Sequence, residues 1–365
     1  MKAGLFAPGV FATTPARARL RLAAVFLTAA ALLLGLASPR EARAQAKLEN
    51  VTMVLPSSKG LPHAPYFIAD AMGYYKEEGL KLEIVNVTGG VEAIKAVASG
   101  QAQFSFPAPS SVIAARNSGV PAISVYAQRQ MWIFGFAAKE GSGITKFEDL
   151  KGKTIGVISE SAGLIVQLML AGSGRLDVKD VKIQVVGGNM AAPLATGAVD
   201  AIYTWRALFQ QYANRGLKQV WIAGPELEKY QSNVIATTEE LVQKRPDLME
   251  KFLRATTKGI VFALANPQAA IEIVGKSDPK LVADGPAAAK EINIVNEELS
   301  SDLTRKYGFG YNSDDSFTLH EAAMRKLGLV KATHKAEGYY YTNKFITAAN
   351  KFDKAKVQAQ AKAYK

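Results

Sequence analysis

The sequence predicts an α/β fold, with helices packed on mostly parallel sheets and two similar units in tandem. Three observations predict it. Short apolar runs alternate with segments of helical spacing as far as Ala223, which is the strand–helix–strand pattern of a parallel sheet with helical crossovers. Glycines close the helical segments, as Gly100 and Gly119 do. None of the 365 residues is cysteine. That removes a disulfide framework, a thiolate metal site and a cysteine nucleophile, so stability must come from a large core, which this length allows.

The elements follow in order. Val51–Leu55 is an apolar strand. Pro56–Pro65 is a loop with three prolines and a glycine. Tyr66–Met72 reads as a short helix, Leu80–Val87 as an alternating strand and Val91–Ser99 as a helix. Gln103–Phe106 is a strand, Ser110–Asn117 a helix, and Ala122–Gln128 and Ile133–Ala138 are further strands. A second cycle starts after Gly141-Ser142-Gly143 with a helical turn at Phe147–Leu150. Lys153–Ile158, Lys182–Val186, Val199–Tyr203 and Gln219–Ala223 are its strands. Gly163–Gly172, Met190–Thr196 and Arg206–Arg215 are its helices. The two units span about ninety residues each and share architecture without a sequence repeat. From Leu241 the chain is mostly helical, with Pro246–Ala265, Pro267–Gly275, Pro286–Leu299 and Asp314–Leu327, the last capped by Ser313. Gly308–Asn312 is a loop. Residues 331–365 carry eight lysines and two acids, the composition of a solvated helix or a frayed end.

Ahead of these elements stands an export signal. Lys2, Arg17, Arg19 and Arg21 form a basic head, and Leu22–Ala37 is an unbroken apolar or small run of sixteen residues. Ala42-Arg43-Ala44 and Ala44-Gln45-Ala46 both fit a signal peptidase, so residues 1–44 read as a signal peptide cut after Ala44 or Ala46. The alternative is an uncleaved anchor, but the run is shorter than the roughly 20 residues of a spanning helix. A lipoprotein signal would need a cysteine. Removing residues 1–44 takes six basic residues and one acid, and the formal charge falls from +12 to +7. That balance attracts anions in general and does not mark a nucleic-acid binder. After the signal no apolar run is long enough to cross a membrane.

Three strand-to-helix turns share one design: Thr88-Gly89-Gly90, Ala108-Pro109-Ser110-Ser111 and Ser159-Glu160-Ser161-Ala162-Gly163. Each opens a helix, where N–H groups lack partners and the dipole is positive. In open α/β sheets such turns line the ligand crevice, and three together would hold an anionic or strongly hydrogen-bonding group without a metal. Thr88, Ser110 and Ser159 or Ser161 can equally be helix caps. Glu160 would repel an anion; it faces solvent or pairs with a ligand ammonium. Aromatics gather at strand ends and loops: Tyr66, Phe67, Phe104, Phe106, Trp132, Phe134, Tyr203 and Trp205. Most are core. Trp205 beside Arg206, at a helix start, can cap an apolar or anionic ligand or simply pack. His63, in Leu-Pro-His-Ala-Pro, can donate to a ligand at the same edge. His320 and His334 lie far off, so no metal site has ligand spacing. Phosphate-loop, hydrolase-elbow and zinc-protease motifs are absent. Asp200 looks like an acid–base carboxylate, but Gly-Ala-Val-Asp-Ala also reads as a helix stop entering a strand.

The chain resembles the type II periplasmic binding proteins of ABC importers, in the branch of taurine, alkanesulfonate, nitrate and thiamine-pyrimidine binders. The matching segments are Ala71-Met-Gly-Tyr-Tyr-Lys-Glu-Glu-Gly-Leu80, Gly89-Gly90, Ala98-Ser-Gly-Gln-Ala102 and Gly119-Val-Pro121. They continue with Gly143–Gly156, Ser161-Ala-Gly163, Ala195-Thr-Gly-Ala-Val-Asp-Ala201, Arg245-Pro-Asp-Leu and Asn266-Pro-Gln-Ala. The resemblance implies two lobes around a cleft, joined by two crossing strands near Phe136–Lys139 and Asn233–Thr237. It implies one lobe of residues 45–138 plus 236–345, a second of 139–235, and a C-terminal helix or tail at 346–365. The implied contacts are His63, Tyr66, Gly90, Ser110, Ser161 and Trp205, with Ser111 in the same turn and Asp200 near the cleft floor. It implies no catalysis and no cofactor. The protein would be a periplasmic monomer handing a sulfonate, carboxylate, nitrate or pyrimidine-type ligand to a permease. A ligand-sensing subunit would use the same cleft. Gln103 stands where the family has aspartate, which would change an interlobe or ligand hydrogen bond. Fungal thiamine-pyrimidine synthases share this fold and depend on a cysteine-rich motif that this chain lacks.

Overall fold

Ten strands form two five-stranded sheets among the residues described by a computed structural model, which are Met1, 47–223, 229–282 and 285–364. The expected signal peptide lies outside the described residues. The strands are β1 (Glu49–Leu55), β2 (Leu80–Asn86), β3 (Phe104–Ser105), β4 (Ala122–Ala127) and β5 (Phe134–Lys139). They continue with β6 (Thr154–Val157), β7 (Lys182–Val185), β8 (Ala201–Trp205), β9 (Gln219–Ala223) and β10 (Val234–Thr238). The first sheet has the order β2-β1-β3-β10-β4 and the second β7-β6-β8-β5-β9. β10 runs antiparallel to β3 and β4, and β5 antiparallel to β8 and β9. The β1–β2, β1–β3, β6–β7 and β6–β8 pairs are parallel. Each sheet is therefore mixed, with one reversed strand at the equivalent place.

Those reversed strands correct the expected crossings. Phe136–Lys139 lies inside β5 and Asn233–Thr237 largely inside β10. The chain changes sheets before each of them, at 128–133 and ahead of Val234. The strand expected at Ile133–Ala138 thus pairs within the second sheet, and the expected boundaries at 138/139 and 235/236 fall inside β5 and β10. A fully buried strand is apolar on both faces in either sheet, so its composition does not say which sheet it joins. The crossings bond to each other: Arg129 N–H donates to Asn233 O at 3.0 Å, and Ile133 N–H to Ser232 Oγ at 2.9 Å.

Parallel strands need cover on both faces, and the sequence supplies apolar residues for that. Val51, Met53, Val54 and Leu55 of β1 are buried, as is all of β4. The Pro246–Ala265 helix buries Leu248, Met249, Phe252 and Leu253 against this half. It lies so close to the Ala64–Ala71 helix that a Cβ at Gly259 would run into the Pro65 carbonyl oxygen. Tyr75 and Tyr126 keep their hydroxyls satisfied on this helix, at Thr256 Oγ1 (2.8 Å) and Thr257 Oγ1 (3.0 Å).

The tail is neither frayed nor wholly solvated. Its helix, Lys354–Ala363, buries Val357 and Ala361, and Asn266 Nδ2 donates to Ala361 O at 2.8 Å. Lys354, Lys356 and Lys362 are exposed, and Val357 and Ala361 alone form the buried stripe. Gln103, just ahead of β3, accepts at Oε1 from Thr52 N–H of β1 at 2.8 Å.

Candidate functional site

The turns at the carboxyl ends of β2, β3 and β6 converge. After β2, Gly89 adopts φ +113°, a conformation that side chains disfavour, and opens the Gly90–Ala98 helix. After β6, Ser159 caps the Glu160–Ser173 helix by accepting from Ala162 N–H at 3.3 Å. The two helix starts come from different sheets and touch: Gly90 N–H donates to Ser161 Oγ at 3.1 Å, and the Ser159 and Ser161 hydroxyls lie 3.0 Å apart. The approach requires glycine. A Cβ at Gly90 would lie 2.6 Å from Ser111 Oγ, and one at Gly89 2.8 Å from Ser161 Oγ.

Beside this contact, and lined in part by Gly89, Gly90 and Ser161, is a cavity. From the first sheet and its loops come Pro56, Pro62, His63, Phe106, Ser111 and Asn233. From the second come Ile133, Phe134, Ile158, Ile165, Tyr203 and Trp205. Phe134 and Tyr203 are tilted partners at 5.3 Å, and His63 meets Phe106 edge-on at 5.9 Å. The lining is chiefly flat and apolar, with polar groups at a few points.

Two of those groups are a buried ion pair. Arg129 and Glu298 are each 1% exposed. Arg129 Nη1 lies 3.2 Å from Glu298 Oε2 and donates to Val295 O at 3.0 Å, while Nη2 donates to Pro62 O. Burial pushes the Glu298 carboxyl up to about 7, against the pull of Arg129. Burial, aided by the Arg129 charge, lowers His63 to about 3, so its imidazole is neutral at physiological pH. Among the described residues His63 Nδ1 and Glu298 Oε1 have no hydrogen-bond partner.

The structure brings His63, Gly90, Ser111, Ser161 and Trp205 to this cavity. It does not bring the other expected contacts. Tyr66 is fully buried behind Phe106, its hydroxyl donating to Gln128 Oε1 at 2.6 Å. Ser110 is fully buried outside the lining, at the turn whose next residue reaches the cavity. Asp200 sits at the opposite edge of the second sheet, exposed, accepting from Thr154 N–H at 2.8 Å. It precedes its strand, and the cavity lies beyond the strand ends, so it closes a turn. Thr88 and Glu160 are exposed. Sequence reasoning missed Arg129 and Glu298. The signal for the first was available: Gln128-Arg129-Gln130 is a polar triplet wedged between two apolar strands. Among the described residues no group of three or more His, Asp or Glu side chains is placed to hold a metal ion.

The profile of the NMT1/THI5-like family matches residues 61–270, more than half of the chain. The chain belongs to this family. Its relatives include the riboflavin-binding protein RibY of Chloroflexus aurantiacus, 28% identical over 83% of this chain and 88% of that one. A 4-amino-5-hydroxymethyl-2-methylpyrimidine phosphate synthase of Legionella pneumophila is 25% identical over 63% of this chain and 74% of the synthase. Among solved structures, the alkanesulfonate-binding protein SsuA of Xanthomonas axonopodis pv. citri, bound to MOPS, superposes with a TM-score of 0.62. It covers 79% of this chain and 96% of its own at 14% identity. The fold of this NMT1/THI5-like member is thus that of the periplasmic binding proteins, two mixed sheets each flanked by helices.

Proposed function

We propose that this protein is the exported substrate-binding component of an ABC importer, and that it captures a small nitrogenous ring compound between its two sheets for delivery to a permease. Residues 47–133 with 234–364 act as one lobe and 134–223 as the other, in a monomer. The observation that carries the ligand class is the lining. Phe106, Phe134, Tyr203 and Trp205 offer flat faces, which suit an aromatic ring. A sulfonate or nitrate would meet Arg129 as the one cationic side chain among the described lining residues, and Arg129 is already committed to Glu298 and two carbonyls. The riboflavin-binding relative and the pyrimidine phosphate synthases favour the same class.

A thermal-shift screen of the mature chain tests this. Riboflavin, 4-amino-5-hydroxymethyl-2-methylpyrimidine, taurine and nitrate would be compared at equal concentration. A ring compound should raise the midpoint, because a ligand that binds only the native state stabilises it. A shift with taurine or nitrate alone would overturn the ring assignment. The synthase relatives supply a second reading, in which the cleft transforms its ligand. Mass spectrometry of the ligand after incubation separates the two: it returns unchanged from a receptor and altered from an enzyme.

A further inference from the structure

Among the polar groups that line the cavity, Arg129, Glu298 and His63 form one connected set. Arg129 ties the three together. Its guanidinium holds one Glu298 oxygen, the Val295 carbonyl just upstream of Glu298, and the Pro62 carbonyl just before His63. Gln130 N–H donates to the Glu298 carbonyl at 2.8 Å, fixing the same corner from the crossing strand. Phe106 braces the imidazole edge-on. Glu298 and His63 both line the cavity and are 1% and 3% exposed, yet Glu298 Oε1 and His63 Nδ1 have no hydrogen-bond partner among the described residues. Buried polar atoms are normally paired, because leaving one unpaired forfeits its hydration with no return. A carboxylate with one oxygen held by an arginine and the other unpartnered, on a residue that lines a cavity, is an acceptor suited to an incoming N–H.

We propose that Glu298 and His63 read the nitrogen edge of the ligand. In its ionised form, paired with Arg129, Glu298 accepts at Oε1 from a ring or exocyclic N–H, and the neutral His63 imidazole bonds the adjacent heteroatom. Arg129 is the positioning residue. The ligand class narrows to heteroaromatics with an amidine or lactam edge, in which an N–H stands next to a C=O or a ring nitrogen. The aromatic walls then hold the ring faces and supply affinity without discrimination. Selectivity resides at this polar set, since a site built around a hydrogen bond rejects the analogue that lacks the donor. This inference rests on the ring-binding reading above.

Calorimetry on the mature chain tests it with paired probes: riboflavin beside its N3-methyl analogue, and 4-amino-5-hydroxymethyl-2-methylpyrimidine beside its 4-dimethylamino analogue. The parent of at least one pair should bind ten-fold or more tighter than its methylated partner. Glu298→Gln should shrink that ratio below about three-fold, because the amide turns its oxygen to Arg129 and presents N–H to the cavity. The double variant R129M/E298L removes both charges together and should also lose the preference while still binding the ring; if it fails to fold, E298Q decides alone. A wild-type ratio near one, with the parent bound, would overturn this inference and leave the ring-binding reading standing. A ratio unchanged in E298Q would do the same. Absence of binding by all four compounds would overturn both.

Discussion

Trp205 ends β8 and is partly buried, in contact with apolar clusters on both sheets as well as the cavity. Its neighbour Arg206 pairs with Glu297 at 2.8 Å, so the indole is steered from its own backbone and from the returning helices. Trp205→Ala should lower ligand affinity about ten-fold or more, a loss of roughly 1.4 kcal/mol per decade. Trp205→Phe should recover most of it. Equal affinity for wild type and W205A in calorimetry would return Trp205 to a packing role. The buried titratable groups make a second prediction at this scale. Burial raises Glu291 and Glu298 to about 7 from 4.5, so the native state holds protons that the unfolded chain has released, and stability falls as pH rises across that window. Burial lowers His63 to about 3 and His320 to about 4 from 6.5, so the unfolded chain takes up protons first, and stability falls as pH drops through that range. The two slopes oppose each other between about 4.5 and 6.5, and below it the histidine slope adds to that of the carboxylates held below their usual range by hydrogen bonds, Asp149, Glu240 and Asp247. Urea unfolding should therefore show a plateau there and an acid decline that is shallower in the H63Q/H320Q double variant. An equally steep acid limb would contradict these assignments.

Elements were legible where one physical signal dominates. Helical spacing marked Pro246–Ala265, and the structure forms that helix with the same bounds. Ser313 caps its helix by accepting from Ser316 N–H at 3.3 Å, as its residue type suggested. Strand membership was less legible. β5 has five of its six residues buried, and such a run fits any interior position. The tail misled because a lysine-rich outer face masks Val357 and Ala361, four residues apart on the inner one. The clearest test of packing at this scale is Gly259. Helix propensity alone favours alanine over glycine by about 1 kcal/mol. The Pro65 carbonyl leaves no room for the added methyl, so Gly259→Ala should destabilise by about 1–3 kcal/mol, as overpacked sites do. Stabilisation by urea titration would mean the two helices part easily.

At the scale of the molecule, two sheets of one topology present their carboxyl edges to each other, and the crossings at 128–133 and near Ser232 connect them. The walls meet through Gly90 and Ser161. Hinged closure around a ligand is a recurrent motion of binding proteins. Ser161→Ala removes the acceptor for Gly90 N–H, and should weaken the binding of a ring compound three-fold or more with little change in unfolding midpoint; an unchanged affinity would place closure elsewhere. The candidate site was half legible in the sequence. Glycine and serine at strand-to-helix turns announce themselves, because few other residues fit there. The pairing of Arg129 with Glu298 did not, since they lie 169 positions apart and only the folded chain brings them together. The most direct measurement is a crystal structure of the mature chain with whichever ring compound stabilises it most. The account predicts a ring lying against Trp205, with its nitrogen edge at Glu298 and both sheets in contact with it. A ligand bound at any other surface, with this cavity collapsed or filled by solvent alone, would contradict it.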